Sequence, residues 1–165
     1  LKAGREPSLE DLTSNQTEIE LRMPALLPDD FIPDVSTRLS LYKRIASAAD
    51  EQDLAELRVE MIDRFGKLPD AARNLLDIAA LRLAARELGV RKIEASDKGG
   101  FFEFAPQNQI DPGWLISLLQ KDPAQWKLDG PTRLRFTRDL AERKLRMEWV
   151  QEFITELAKH RLPAG

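Results

Sequence analysis

The chain has 165 residues with 42% hydrophobic and 32% charged side chains, enough apolar material for one domain with a real core or one domain plus an arm. It has no cysteine, which removes disulfides, thiolate metal sites and thiol catalysis, and one histidine, His160, which leaves imidazole chemistry a single candidate near the end of the chain. No apolar run approaches the ~20 residues a membrane-spanning helix needs, and a net charge of −3 does not by itself call for a nucleic-acid partner.

Residues 1–16 are polar and aperiodic and read as an arm. The abrupt start on leucine suggests a piece of a longer protein. "TEIELRMP" (17–24) alternates Ile19, Leu21 and Met23 with charged residues, the period of a strand. Pro24, Pro28 and Pro33 punctuate the loop that follows, which either Leu26, Leu27, Phe31 and Ile32 pin to the body or a preceding domain orders as a tether. Residues 1–33 are thus taken as arm and extended lead-in, 34–161 as the domain, and 162–165 as a tail.

Three helices come next. Asp34 is the expected N-cap of the first, with an apolar stripe at Val35, Leu39, Tyr42 and Ile45/Ala46. Asp50 caps the second, whose stripe is Leu54, Leu57, Met61/Ile62 and Phe65, with Gly66 at the left-handed C-terminal position. Pro69 fits N1 of the third, which runs through Leu75, Leu76, Ala79, Leu83 and Leu88 to Gly89. The period then changes to two. "VRKIEAS" and "GFFEFAP" are strands joined by "DKGG". "DPGWLISLLQK" is a short helix capped by Asp111. "QWKLDG" and "TRLRFTRD" are strands turning at Asp129-Gly130, with Leu134 and Phe136 inward and Arg133 and Arg135 outward. A long C-terminal helix finishes the chain, with Leu140, Met147, Val150, Ile154 and Leu157 on its stripe, flanked by Trp149 and Phe153. The fold class is α+β: helices first, then a small, mainly antiparallel sheet with a short helix and a long C-terminal helix.

No phosphate-cradling glycine loop, HExxH or GxSxG elbow is present. "KGGFFEF" approaches an RNA-binding RNP1 strand, but Gly100, Phe101 and Ala105 stand where that pattern wants an aromatic, a small residue and an aromatic. Phe102 and Phe104 are therefore expected in the core. Charge is segregated. Residues 50–63 hold six acids against Arg58, and residues 131–146 hold six bases against Asp139 and Glu142. Asp53, Glu56, Glu60 and Asp63 share one helical ridge. A catalytic dyad needs one carboxyl in an apolar pocket, whereas this ridge is the polar side of an amphipathic helix. It reads as a solvated face or a docking face. Its acids toward the helix C-terminus oppose the helix dipole, which is a reason to look for a cationic partner. Arg133, Arg135, Arg143 and Arg146 form a possible nucleic-acid or second partner face, or a solvated one paired with acids such as Glu142.

"MPALLPDDFIPDVSTRLSLYKRIASA", "ELRVEMIDRFGKLPDAARNLL", "LGVRKIEASDKGG" and "LDGPTRLRFTRDLAERKLRMEWV", in that order, closely resemble the C-terminal domain of bacterial transcription-repair coupling factors, the Mfd family. The resemblance covers residues 17–160. It implies a cytoplasmic, ATP-driven double-stranded DNA translocase that acts on stalled RNA polymerase and recruits UvrA through a UvrB-like module. It implies that the motor domains, with their ATP and magnesium, lie outside this chain, and that the chain itself is non-catalytic. The lack of a phosphate cradle, a cysteine cluster or a usable histidine leads us to expect no cofactor or metal, and the chain is expected to be monomeric. The resemblance further implies a clamp: the domain packs on the UvrB-like module and covers the UvrA-binding surface. Glu60 and Asp63 match the family's clamp contact, with Glu56 and Asp53 on the same ridge, facing arginines of that module.

Overall fold

The computed structural model describes residues 17–163, and the arm expected at 1–16 lies outside the described residues. Five helices and five strands are formed among those described. Their contacts divide the chain into two units, residues 24–83 and residues 17–23 with 84–163. The periodicities alone do not draw this division.

The first unit is helical. Helix α1 (Val35–Ala46) starts where the Asp34 carboxylate accepts the Thr37 N–H at 2.9 Å. Helix α2 (Glu51–Phe65) starts where Asp50 accepts the Asp53 N–H at 2.9 Å. It ends at Gly66, whose φ of +91° costs a glycine little. Helix α3 (Asp70–Glu87) begins at the residue after Pro69, whose carbonyl accepts the Arg73 N–H, so Pro69 stands at the N-cap and not at N1. Leu27, Ile32, Leu41, Ile45, Leu54, Leu57, Met61, Leu68, Leu75 and Leu76 form the core. The proline-punctuated loop is pinned through Leu27 and Ile32, with Phe31 packed against the core, whereas Leu26, expected to pin it as well, is 45% exposed. Leu27 and Ile32 are buried, the Leu27 N–H donates to the Tyr42 hydroxyl at 2.8 Å, and Asn74 Nδ2 donates to the Pro24 carbonyl at 2.9 Å. Two stripe assignments are corrected. Val35 is 52% exposed, because the first residue of α1 lies beyond the edge of the core, and Leu41 at 1% takes its place. Ile62 is also exposed, because the α2 stripe is centred on Leu54, Leu57 and Met61.

The second unit carries a five-stranded sheet in the order β1-β2-β3-β5-β4. The strands are β1 (Glu18–Glu20), β2 (Val90–Ser96), β3 (Gly99–Phe104), β4 (Trp126–Leu128) and β5 (Arg133–Thr137). Only β1 runs parallel to its neighbour, with Ile19 opposite Ile93. It is shorter than the alternation over 17–24 suggested, because the chain turns at Arg22, a non-glycine residue at φ +57°. Helix α4 (Pro112–Lys121) is capped by Asp111. Helix α5 (Arg143–Lys159) starts after Leu140, which is buried ahead of the helix and not on its stripe, and packs on the sheet through an aromatic cluster. The Phe153 ring lies 4.7 Å from both Phe102 and Trp126, and Trp149 lies 4.5 Å from Phe136. Phe102, Phe104, Leu134 and Phe136 are buried on this face, as the alternation predicted.

Candidate interaction face on the second helix

Helix α2 is held at its start and on two flanks by groups of the same unit. At its start the Asp53 carboxylate accepts the Ala49 N–H at 2.9 Å while Asp50 accepts the Asp53 N–H. This reciprocal cap satisfies two otherwise unpaired donors, and it ties Asp53 to the helix terminus. On one flank Arg58 pairs with Asp77 of α3 at 2.9 Å. On the other, Glu60 takes a two-pronged contact from Arg44 of α1 at 2.6 and 2.9 Å, plus a third hydrogen bond from Arg64 at 3.2 Å. Hydrogen bonds to Arg44 first, and then to Arg64, hold the Glu60 carboxyl down at about 2. Planar guanidinium meeting carboxylate through two parallel bonds fixes orientation as well as charge, so Glu60 staples α1 to α2.

The four-acid ridge of the sequence is therefore divided. Asp53 serves the cap and Glu60 serves the staple. Glu56 and Asp63 are exposed and make no hydrogen bond or ion pair among the described residues. They are seven residues apart, two helical turns, and Val59 stands between them on the same line. Val59 is 59% exposed and Ile62, beside Asp63, is 44% exposed. The outward face of α2 thus carries two free carboxylates around two bare β-branched side chains. Periodicity alone missed this apolar pair, because Ile62 was assigned to the core stripe.

The TRCF domain family model matches residues 21–115, more than half of the chain and all three helices of the first unit. The chain belongs to the TRCF domain family. It is 67% identical over 160 residues to the transcription-repair-coupling factor of Escherichia coli K12, and 52% identical over 158 residues to that of Haemophilus influenzae Rd. These alignments take in 97% and 96% of the chain but 14% of each relative, so the chain spans about one-seventh of their length. A crystal structure of a C-terminal domain of a transcription-repair coupling factor superposes with a TM-score of 0.75 at 24% identity, covering 88% of this chain and 94% of that one, and shares the fold.

On the second candidate face, two arginines meet carboxylates of the same unit and one is buried. Arg133 pairs with Glu103 at 2.8 Å and lies over the Phe101 ring at 3.9 Å. Thr132 also hydrogen-bonds Glu103, and these partners hold its carboxyl below the usual range. Arg135 pairs with Asp129 at 2.7 Å and lowers that carboxyl likewise. The acids that neutralise these arginines are Glu103 and Asp129, not Glu142. Arg146 is a correction. It is 5% exposed and its guanidinium donates to the Leu140 and Leu21 carbonyls at 3.0 and 2.8 Å and to the Arg22 carbonyl at 3.0 Å. It is a buried anchor for the β1 lead-in and presents no charge outward. The signal was in the spacing: Arg146, Val150, Phe153 and Leu157 fall at i, i+4, i+7 and i+11, a single buried stripe. Arg143 remains exposed, without an ion pair among the described residues.

Among the described residues no three His, Asp or Glu side chains gather as a metal site, and no helix is long and apolar enough to cross a membrane.

Proposed function

We propose that this TRCF domain is a non-catalytic regulatory interaction module of a transcription-repair coupling factor. It docks through the outward face of α2 onto the UvrB-like module of the same protein. There it masks the UvrA-binding surface and holds the DNA translocase in its resting state. ATP and magnesium belong to motor domains elsewhere in such a protein, and RNA polymerase and duplex DNA are engaged through them. The observation that carries the reading is the pair of unpartnered carboxylates, Glu56 and Asp63, on a ridge whose other two acids, Asp53 and Glu60, are held by groups of the same unit. Asp63 lies in the last turn of α2, where the helix dipole disfavours a carboxylate, and an arginine from outside would relieve both the exposure and the dipole. Glu60, beside them, presents its free lone pairs from a fixed position and serves the contact mainly by positioning Arg44 and Arg64 away from it.

Titration of the chain against the UvrB-like module supplied in trans tests the proposal. Saturable binding is expected, weakened at least tenfold by Glu56→Lys with Asp63→Lys, since like charges set against arginines oppose association. Equal binding by the charge-reversed chain would overturn it. Duplex DNA in a parallel titration should not compete, because the arginines of β5 already have carboxylate partners.

A further inference from the structure

Resting on that reading, we infer that the docking face of α2 has an apolar centre, Val59 and Ile62, and that it takes a partner surface of aliphatic or aromatic side chains ringed by arginine or lysine. Single exposed apolar residues are ordinary on a protein surface. Two β-branched residues on one exposed helical face are less so, because they lose side-chain freedom in a helix and are poorer helix formers than the Glu, Lys or Ala a solvated position accommodates. Val59 and Ile62 stand outside the core of the first unit, so packing in that unit does not account for them.

The surroundings set the chemistry of the occupant. Glu56 lies one turn before Val59, and Asp63 one turn after it and next to Ile62. The two arginines of α2, Arg58 and Arg64, are turned to Asp77 and Glu60. The bare patch is therefore bounded by negative charge with no unpaired base on the helix. An anionic or purely polar partner is repelled or gains nothing there. A purely apolar partner would bury Glu56 and Asp63 without counter-ions. A cationic rim around an apolar contact satisfies both, in the arrangement of interfaces that exclude water at the centre and keep charge at the edge. The short Val and Ile side chains make a shallow platform, which suits longer side chains from the other side, including the methylene stems of the arginines themselves.

The test uses the chain with the UvrB-like module in trans, followed by calorimetry at several temperatures and salt concentrations. Val59→Thr with Ile62→Thr keeps the β-branched shape and the charge. It should weaken binding by about tenfold or more, reduce the negative heat-capacity change of association, and leave the salt dependence as it was. Glu56→Gln with Asp63→Asn should weaken binding and flatten the salt dependence. Each variant is first matched to the parent in thermal unfolding. Loss of affinity in the threonine variant with an unchanged salt slope supports the apolar centre. If the amide variant loses affinity and the threonine variant does not, the docking reading stands and the apolar centre is overturned. If the parent chain does not bind, or the amide variant binds as the parent does, the docking reading falls and takes this inference with it.

Discussion

Replacing Arg146 by methionine separates an anchor from a surface charge. The guanidinium makes three hydrogen bonds of 2.8–3.0 Å to the carbonyls of Leu21, Leu140 and Arg22, and reaches Ala141 at 3.4 Å. Hydrogen bonds to a charged donor contribute roughly 1.5–3 kcal/mol each. The Arg22 carbonyl is only part-buried and recovers water when the donor leaves, so two bonds count in full and the third in part. Methionine replaces the apolar stem and adds no cavity of consequence. The expected loss is about 3–5 kcal/mol, or roughly 6–20 °C in Tm at about 2–4 °C per kcal/mol for a chain of this size. Urea unfolding followed by circular dichroism reads it as a shift in midpoint with an unchanged slope. Arg146→Lys should fall between, because one ammonium cannot span three carbonyls. A loss below about 1 kcal/mol would show that Arg146 is the solvated charge its neighbours Arg143 and Lys144 are, and the assignment of a buried anchor would be refuted.

Glu60 should titrate near 2, against an ordinary value of 4.5. A depressed carboxylate adds stability that is fully present above the unfolded value and is lost as pH falls through the folded one. The pH dependence of unfolding between about 4.5 and 2 should therefore be shallower in Glu60→Gln than in the parent, and carboxyl chemical shifts check the titration directly. Gly100→Ala should destabilise the second unit by about 3 kcal/mol, because a Cβ there meets the Glu94 carbonyl across the β2–β3 pair. Equilibrium unfolding measures it, and a variant as stable as the parent would contradict the close strand approach.

The elements legible in the sequence were those written in local chemistry. Asp34, Asp50 and Asp111 cap helices within three residues, Gly66 and Gly130 take positive φ at turns, and the alternation of Leu134 and Phe136 with arginines survives in β5. What distance along the chain separates was not legible. Glu103 meets Arg133 thirty residues on because β3 pairs with β5, past α4 and β4. Glu60 meets Arg44 sixteen residues back because α1 and α2 pack in one unit. No period announces either meeting, and both bear on a candidate site: the first gives Arg133 a carboxylate partner within the fold, and the second ties Glu60 to α1. The candidate face itself was half visible. Its acids lie on one ridge by spacing, whereas the exposure of Ile62 is set by how α2 rotates against Leu41, Ile45 and the α3 leucines.

The central claim is that Glu56 and Asp63 close a clamp over the UvrA-binding surface, and it is tested most directly by UvrA affinity in a full-length coupling factor carrying this domain. Glu56→Gln with Asp63→Asn substitutes only exposed side chains of α2 and removes the charge that the proposed closed state would need. Affinity for a partner that binds only the open state then rises in proportion to the open fraction. The account predicts tighter UvrA binding by the double variant than by the parent. The same affinity in both proteins, with thermal unfolding unchanged, would contradict it and leave α2 a solvated face.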